Sequence, residues 1–353
     1  MFKFEDIKQV HLEITNNCQA SCPMCNRNID GGLENPLIKA TEWSLKDFKR
    51  IMTPDLLNQI NGYYYCGTFG DPILNNSLID MCHYSTEVAP NVNLTIHTNG
   101  GARNVDWWKR LANVMPKDHR VVFALDGLDD THHLYRIGTQ FQTVIRNSRT
   151  FISEGGIAEW VFIKFKHNQH QVDQARAMSE ELGFRYFTVK NSSRFIIDPR
   201  QRVVDRDGNF THYVEPATDT PLVFIDKSAI KEYKTIVDSS IITCKAQNDK
   251  EIYIDAYKDF YPCCWMANTP YTYIRDNEAA HVRYEIRRQH DEMLARLGET
   301  NLLKRNLKDL IDSEEFQTMW YEYWNVNKLI ICARSCGRSD KNNYSKCTDQ
   351  EVR

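Results

Sequence analysis

Apolar residues alternate with polar ones, or run together in short blocks, at six places in the first half of the chain: residues 10–15, 62–66, 92–97, 121–125, 160–165 and 185–189. Each block is rich in β-branched or aromatic residues, the composition of a pleated strand, and stretches of helical periodicity fill the gaps between them. Residues 44–52 open on Ser44, whose hydroxyl suits a helix N-cap, and residues 172–182 end before Gly183, the residue type that favours a left-handed C-terminal turn. Strand and helix in alternation predict βα units on a parallel sheet. Six units predict a partial (β/α)6 barrel, three-quarters of a full eight-stranded one, with one side left open for a substrate.

After Lys190 this periodicity stops. Residues 202–215 read as a hairpin around Asp207-Gly208, a dipeptide suited to tight turns. Cysteines return at Cys244, with a second hairpin expected over 251–261 and helices over 281–297 and 313–324. At 353 residues the chain is long enough for two units, each with its own core. The expected division is a barrel over 1–192, an insertion or linker with a hairpin over 193–243, and a small cysteine-rich α+β unit over 244–353. No internal repeat or low-complexity tract interrupts this order.

Charge changes the picture by exclusion. The formal net charge of −3 comes from 44 basic and 47 acidic residues well mixed along the chain, so no long-range field draws in a polyanion, and nucleic acid is a disfavoured partner. Neither an apolar leader in residues 1–30 nor a run of about 18 apolar residues is present, which predicts a cytoplasmic protein without a membrane partner. In a reducing cytoplasm, eleven cysteines point to metal ligation rather than disulfides.

Three of those cysteines, Cys18-x3-Cys22-x2-Cys25, lie directly after the first predicted strand, in a polar loop able to wrap a metal cluster. Four thiolates close an iron–sulfur cluster for electron transfer, whereas three leave one iron open to a cofactor or substrate. Asp71, Asn99 and Asp126 fall at the ends of the next three predicted strands, the edge where parallel α/β architectures carry their functional loops. Taken singly, each has a structural alternative as a turn or capping residue.

This pattern resembles the radical S-adenosylmethionine (SAM) superfamily, whose CxxxCxxC loop follows the first strand of a partial (β/α)6 barrel. Gly67-Thr68-Phe69-Gly70-Asp71-Pro72 is similar to that family's Gly-Gly-Glu-Pro element, which receives the methionine amino group of SAM, with Phe69 in place of the first Gly and Asp71 in place of Glu. Thr98-Asn99-Gly100, Ala124-Leu125-Asp126-Gly127, His133-x-Tyr135-Arg136 and Phe141 also resemble members of the family. The resemblance implies a [4Fe-4S] cluster on Cys18, Cys22 and Cys25. It implies SAM contacts at Gly70, Asp71, Asn99, Asp126 and Arg136, with Asp126 at the ribose and Arg136 at the carboxylate.

Six cysteines remain from Cys244 onward. Their arrangement resembles the auxiliary-cluster domains called SPASM and twitch, found in sulfatase and ribosomal-peptide maturases and in a dehydrogenase of aminoglycoside biosynthesis. A dense central cysteine group is missing, so the one-cluster twitch form fits better. The implied ligands of a second Fe-S cluster are Cys244, Cys263, Cys332 and Cys336, with Cys264 or Cys347 as possible substitutes; four-thiolate zinc is the alternative use of the same set. Cys66 and Cys82 read as buried small hydrophobes, His97 as a core histidine, and His132, His133, His167 and His170 as surface or loop residues.

The expected function is reductive cleavage of SAM to a 5′-deoxyadenosyl radical that abstracts hydrogen from a peptide or small-molecule substrate, with an external flavodoxin- or ferredoxin-like one-electron donor. Two alternatives from other classes stand beside it: an Fe-S electron-transfer protein with closed clusters, and a zinc-stabilised binding module.

Overall fold

The computed structural model describes residues 1–116, 118–192, 194–195, 200–220, 233–274 and 280–338. Six parallel strands appear where alternation predicts them: β1 (Gln9–Leu12), β2 (Gly62–Tyr65), β3 (Asn93–Thr98), β4 (Arg120–Ala124), β5 (Ile157–Lys164) and β6 (Tyr186–Asn191). Each pairs in parallel with the next. The first strand stops earlier than expected, because Ile14 and Thr15 leave the sheet to meet residues 41–43: Trp43 N–H donates to the Ile14 carbonyl at 2.8 Å, and Thr15 bridges Glu42.

Strand periodicity sorts the side chains onto two faces. Tyr63 and Tyr65 turn toward helix α1 (Leu45–Ile51), each with its ring 6.3 Å from Phe48. Tyr64, between them, faces the barrel interior, 4.4 Å from the His11 ring and 5.9 Å from His97. Helices α2 (Leu78–Val88), α3 (Val105–Val114), α4 (Phe141–Ser153) and α5 (Val172–Glu181) cover the outer face. Their contact residues include Trp108 and Phe151, which enclose Phe123 of β4; each such buried ring contributes roughly 2–3 kcal/mol of transfer free energy. Local signals at the helix ends work as expected. Ser44 and Asp47 exchange the two hydrogen bonds of a capping box at 3.1 Å, and Gly183 closes α5 at φ +85°.

The hairpin expected over 202–215 forms from β7 (Gln201–Val204) and β8 (Phe210–Val214). It lies against the cysteine loop. Val203 and Val214 pack in a small apolar cluster with Ala20, Cys22, Tyr135 and Phe165, and Val204 N–H donates to the Asp30 carbonyl at 2.9 Å. Gly32 is obligatory there, since a Cβ would stand 1.8 Å from the Asp205 carbonyl oxygen.

The second hairpin, β9 (Glu251–Ile254) and β10 (Phe260–Tyr261), extends the barrel sheet. β9 pairs in parallel with β1, register Gln9↔Glu251 to Leu12↔Ile254, giving one eight-stranded sheet in the order β10-β9-β1-β2-β3-β4-β5-β6. Helices α6 (Ala280–Leu297), α7 (Glu314–Asn325) and α8 (Ile330–Cys336) complete the described C-terminal part. Cys332 and Cys336 come after α7, one turn apart on α8. Among the described residues no helix is long and apolar enough to cross a membrane.

Candidate cofactor site

The loop that leaves β1 carries the three thiols to the carboxyl-terminal edge of the sheet, where each meets a different strand-end loop. The Cys18 sulfur lies 3.6 Å from Asn99 Nδ2, beyond β3. The Cys22 sulfur lies 3.7 Å from Arg136 Nη1, beyond β4, and the Cys25 thiol points at the Thr68 carbonyl, beyond β2, at 3.8 Å. Burial pushes all three thiols above their ordinary pKa, opposed at Cys22 by the Arg136 guanidinium and at Cys25 by Arg194.

The nominated cofactor contacts meet around these thiols. The buried Asp71 carboxylate accepts from the Thr98 hydroxyl at 2.8 Å, from Asn99 N–H at 2.7 Å and from Ile73 N–H at 3.2 Å. Those bonds tie the end of β3 to the loop after β2 and occupy both carboxylate oxygens. Asn99 Oδ1 accepts from Gln19 at 2.6 Å and from Gly101 N–H at 2.8 Å, which turns its amide nitrogen toward Cys18. Asp126 accepts from Arg136 Nε at 2.6 Å and from Ile163 N–H at 2.5 Å. Burial works to raise the Asp126 carboxyl while the guanidinium opposes it, and the same ion pair holds Arg136 protonated. Gly70 has room for nothing larger, because a Cβ would fall 1.9 Å from the Thr15 carbonyl oxygen.

This donor set fits an iron–sulfur cluster. Soft sulfur ligands are buried among polar groups and guanidinium groups, and bound iron would hold as thiolates the sulfurs that burial keeps protonated. Among the described residues no three His, Cys, Asp or Glu side chains close around a single-ion position. A cavity of about 500 Å3 opens at the opposite, amino-terminal ends of the strands, lined by Tyr64, His97, Arg120 and Tyr186 among others, and includes none of the nominated residues.

The C-terminal cysteines form a second group. Cys244 and Cys336 share a side-chain hydrogen bond that pulls Cys336 down and pushes Cys244 up; Cys263 and Cys332 lie within electrostatic reach of Cys336 and of each other. Cys264, next in sequence to Cys263, has Glu251, Cys66 and Lys245 as its titratable neighbours instead. Cys347 lies outside the described residues.

No family model matches the sequence, and no curated protein matches it. Solved structures do. SuiB from Streptococcus suis, bound to SAM, superposes with a TM-score of 0.55 at 14% identity over 89% of this chain and 67% of its own. The structure of anSMEcpe with bound SAM gives 0.54 at 14% identity over 96% of this chain and 94% of its own. Both were solved with SAM bound. This chain shares the fold of these SAM-bound structures.

Sequence reasoning passed over one residue of this site. Glu13, just beyond β1 and 1% exposed, accepts from Phe69 N–H at 2.6 Å and Gly70 N–H at 2.9 Å through one oxygen, and from the Tyr253 hydroxyl at 2.5 Å through the other. Burial raises its carboxyl to about 7 against the pull of these donors. A lone glutamate at a strand end carries no motif, so no sequence signal marks it. The expectation for His132 is corrected: it is buried, with Nε2 2.8 Å from the Thr139 hydroxyl, because the short helix that bears it packs onto the barrel rim.

Proposed function

We propose that this protein is a radical SAM enzyme that holds a [4Fe-4S] cluster on Cys18, Cys22 and Cys25 and binds SAM beside it. One observation carries the reading: three thiols from a single loop are each met by a different strand-end loop, through Thr68, Asn99 and Arg136. When bound, the cluster and SAM supply a 5′-deoxyadenosyl radical for hydrogen abstraction. The chain's own part is to bind, orient and exclude water.

As an iron ligand Cys25 would be a thiolate and would no longer donate to the Thr68 carbonyl, which would then be free to accept from the SAM ammonium. Gly70 keeps that loop close to the thiols. Asp71, with both oxygens engaged, acts by fixing the loop rather than by contact. Asn99 would offer an amide and Arg136 a cation for the carboxylate, while Asp126 orients Arg136 and is the candidate for the ribose. The hairpin β7–β8 packs over the cysteine loop and shields it from water.

In this reading residues 1–192 are the cofactor barrel, 193–243 the covering insertion, and 244–353 a twitch-like unit whose Cys244, Cys263, Cys332 and Cys336 hold a second Fe-S cluster. The substrate is a peptide, supported by solved SuiB bound to the precursor peptide SuiA and solved anSMEcpe bound to the Kp18Cys peptide. A flavodoxin- or ferredoxin-like donor in the cytoplasm supplies the electron.

The test is anaerobic reconstitution with iron and sulfide, reduction by dithionite with SAM, and chromatography for 5′-deoxyadenosine. The nucleoside is expected from the wild-type chain and not from Cys22→Ala, which keeps only its C-terminal iron. A fully loaded, reduced wild-type protein that leaves SAM intact, with or without candidate peptides, would overturn the reading.

A further inference from the structure

Glu13 joins three parts of the chain that are far apart in sequence. Its carboxylate takes the amide hydrogens of Phe69 and Gly70, in the loop after β2, and the hydroxyl of Tyr253, on β9. The same Tyr253 oxygen lies 3.0 Å from the Thr68 hydroxyl. Tyr253 is fully buried, and the pairing of β9 with β1 brings it to Glu13. A buried carboxylate is costly without donors, and here three donors converge on it.

The peptide unit between Thr68 and Phe69 turns this contact into a consequence for the cofactor. In a trans peptide the C=O and N–H point in opposite directions. With Phe69 N–H fixed on Glu13, the Thr68 carbonyl faces away from it, and it lies 3.8 Å from the Cys25 sulfur. Gly70 N–H, bonded to the same Glu13 oxygen, prevents the unit from rolling about the loop axis. Without these bonds only the ψ angle of Thr68 and the φ angle of Phe69 would hold that carbonyl toward the thiols.

We propose that Glu13 and Tyr253 are positioning residues for SAM, through which the C-terminal strand β9 sets the direction of the Thr68 carbonyl and hence the affinity for the cofactor. This rests on the function proposed above. It makes the second hairpin part of the SAM site without any direct contact to SAM: Tyr253 orients Glu13, Glu13 pins the peptide plane, and the plane presents its oxygen.

The experiment compares the full-length wild-type chain with Glu13→Gln, Tyr253→Phe and, as a control, Tyr63→Phe, which removes a buried hydroxyl from the helix-facing side of β2. Amide exchange at Phe69 and Gly70 is read in the unreconstituted protein. SAM affinity and the SAM-induced change in the electron paramagnetic resonance spectrum are read after reconstitution and reduction.

Glu13→Gln and Tyr253→Phe should retain cluster iron and thermal midpoint, speed exchange at the two amides about tenfold and weaken SAM binding about tenfold. Their spectral response to SAM should be smaller at equal iron content, a change that a general loss of stability would not produce selectively. Tyr63→Phe should match wild type. If Glu13→Gln does not fold, Tyr253→Phe carries the test alone. Variants that bind SAM as tightly as wild type overturn this inference and leave the functional reading intact. A reconstituted wild-type chain that binds no SAM overturns both.

Discussion

Arg136 donates its Nε–H to the Asp126 carboxylate at 2.6 Å, and Asp126 is fully buried. The guanidinium therefore stands between a desolvated carboxylate and the Cys22 sulfur, 3.7 Å from its Nη1. Removing one partner of such a pair leaves an uncompensated buried charge, at a cost of about 3–5 kcal/mol, whereas removing both is far cheaper. Arg136→Met should thus lower the urea midpoint of the unreconstituted chain strongly, and the double variant Asp126→Asn/Arg136→Met should recover most of the loss. A double variant no more stable than the single one would show that the pair is not the reason for the loss.

Gly70 and Gly208 predict opposite outcomes for the same substitution. At Gly70 a Cβ meets the Thr15 carbonyl oxygen at 1.9 Å and its carbon at 2.6 Å, backbone atoms that no rotamer change can move. At Gly208, at the tip of the β7–β8 hairpin, φ is +83° and nothing lies within 4 Å. Gly70→Ala should cost about 2–3 kcal/mol through overpacking and weaken SAM binding at least tenfold. Gly208→Ala should cost only the local strain of about 1 kcal/mol and leave SAM binding unchanged. Thermal unfolding and equilibrium dialysis with SAM check both; equal losses at the two positions would remove the packing argument.

These contrasts mark what local sequence can and cannot encode. The six barrel strands and the caps at Ser44 and Gly183 were legible because alternation and cap chemistry act within a few residues. The candidate site was legible only as a set of strand-end positions. Its internal bonds were not: Glu13 meets donors 56 and 240 residues away, and no spacing rule connects such positions. The same holds for β9. Its alternation announced a hairpin strand, but the choice of β1 as a parallel neighbour follows from which sheet edge is open, a property of the folded barrel. Asp71 shows a third limit: the motif located it correctly at the rim, yet Thr98 and the Asn99 amide, which occupy its oxygens, became visible only once β3 was placed beside β2.

Adjacent cysteines should behave differently toward metal. Cys263 lies within reach of Cys332 and Cys336, while Cys264 faces Glu251 and Cys66 on the barrel side. Cys263→Ser should lower the iron content of the reconstituted chain by about four atoms, the content of one cubane cluster, and Cys264→Ser should leave it unchanged. Iron and zinc counted on the same samples separate the two uses of this cysteine set. Equal iron loss in both variants would contradict the separation of the two thiols.

His11 gives the acid limb of stability a specific origin. Its ring is enclosed by Tyr64 and Tyr253 at 4.4 and 4.6 Å, and its Nε2 lies 2.6 Å from the Cys66 carbonyl, so Nε2 carries the proton and the neutral ring fills the barrel interior. Burial lowers its pKa from 6.5 to about 4. For a base depressed in the folded state, the unfolded chain binds more protons between those values, so stability is complete above pH 6.5 and falls as pH drops toward 4, by about 3 kcal/mol in total. Glu13 acts in the opposite sense over an overlapping window. Its carboxyl, raised to about 7, makes the folded chain bind the extra proton and lowers stability as pH rises from 4.5. The two partly cancel in the wild-type profile, and the informative quantity is therefore the difference between wild type and His11→Gln. That difference should shrink by about 3 kcal/mol between pH 6.5 and 4 in urea unfolding of the unreconstituted chain. Parallel profiles across this range would mean that His11 takes up its proton without strain, and that the barrel interior admits charge more easily than its burial implies.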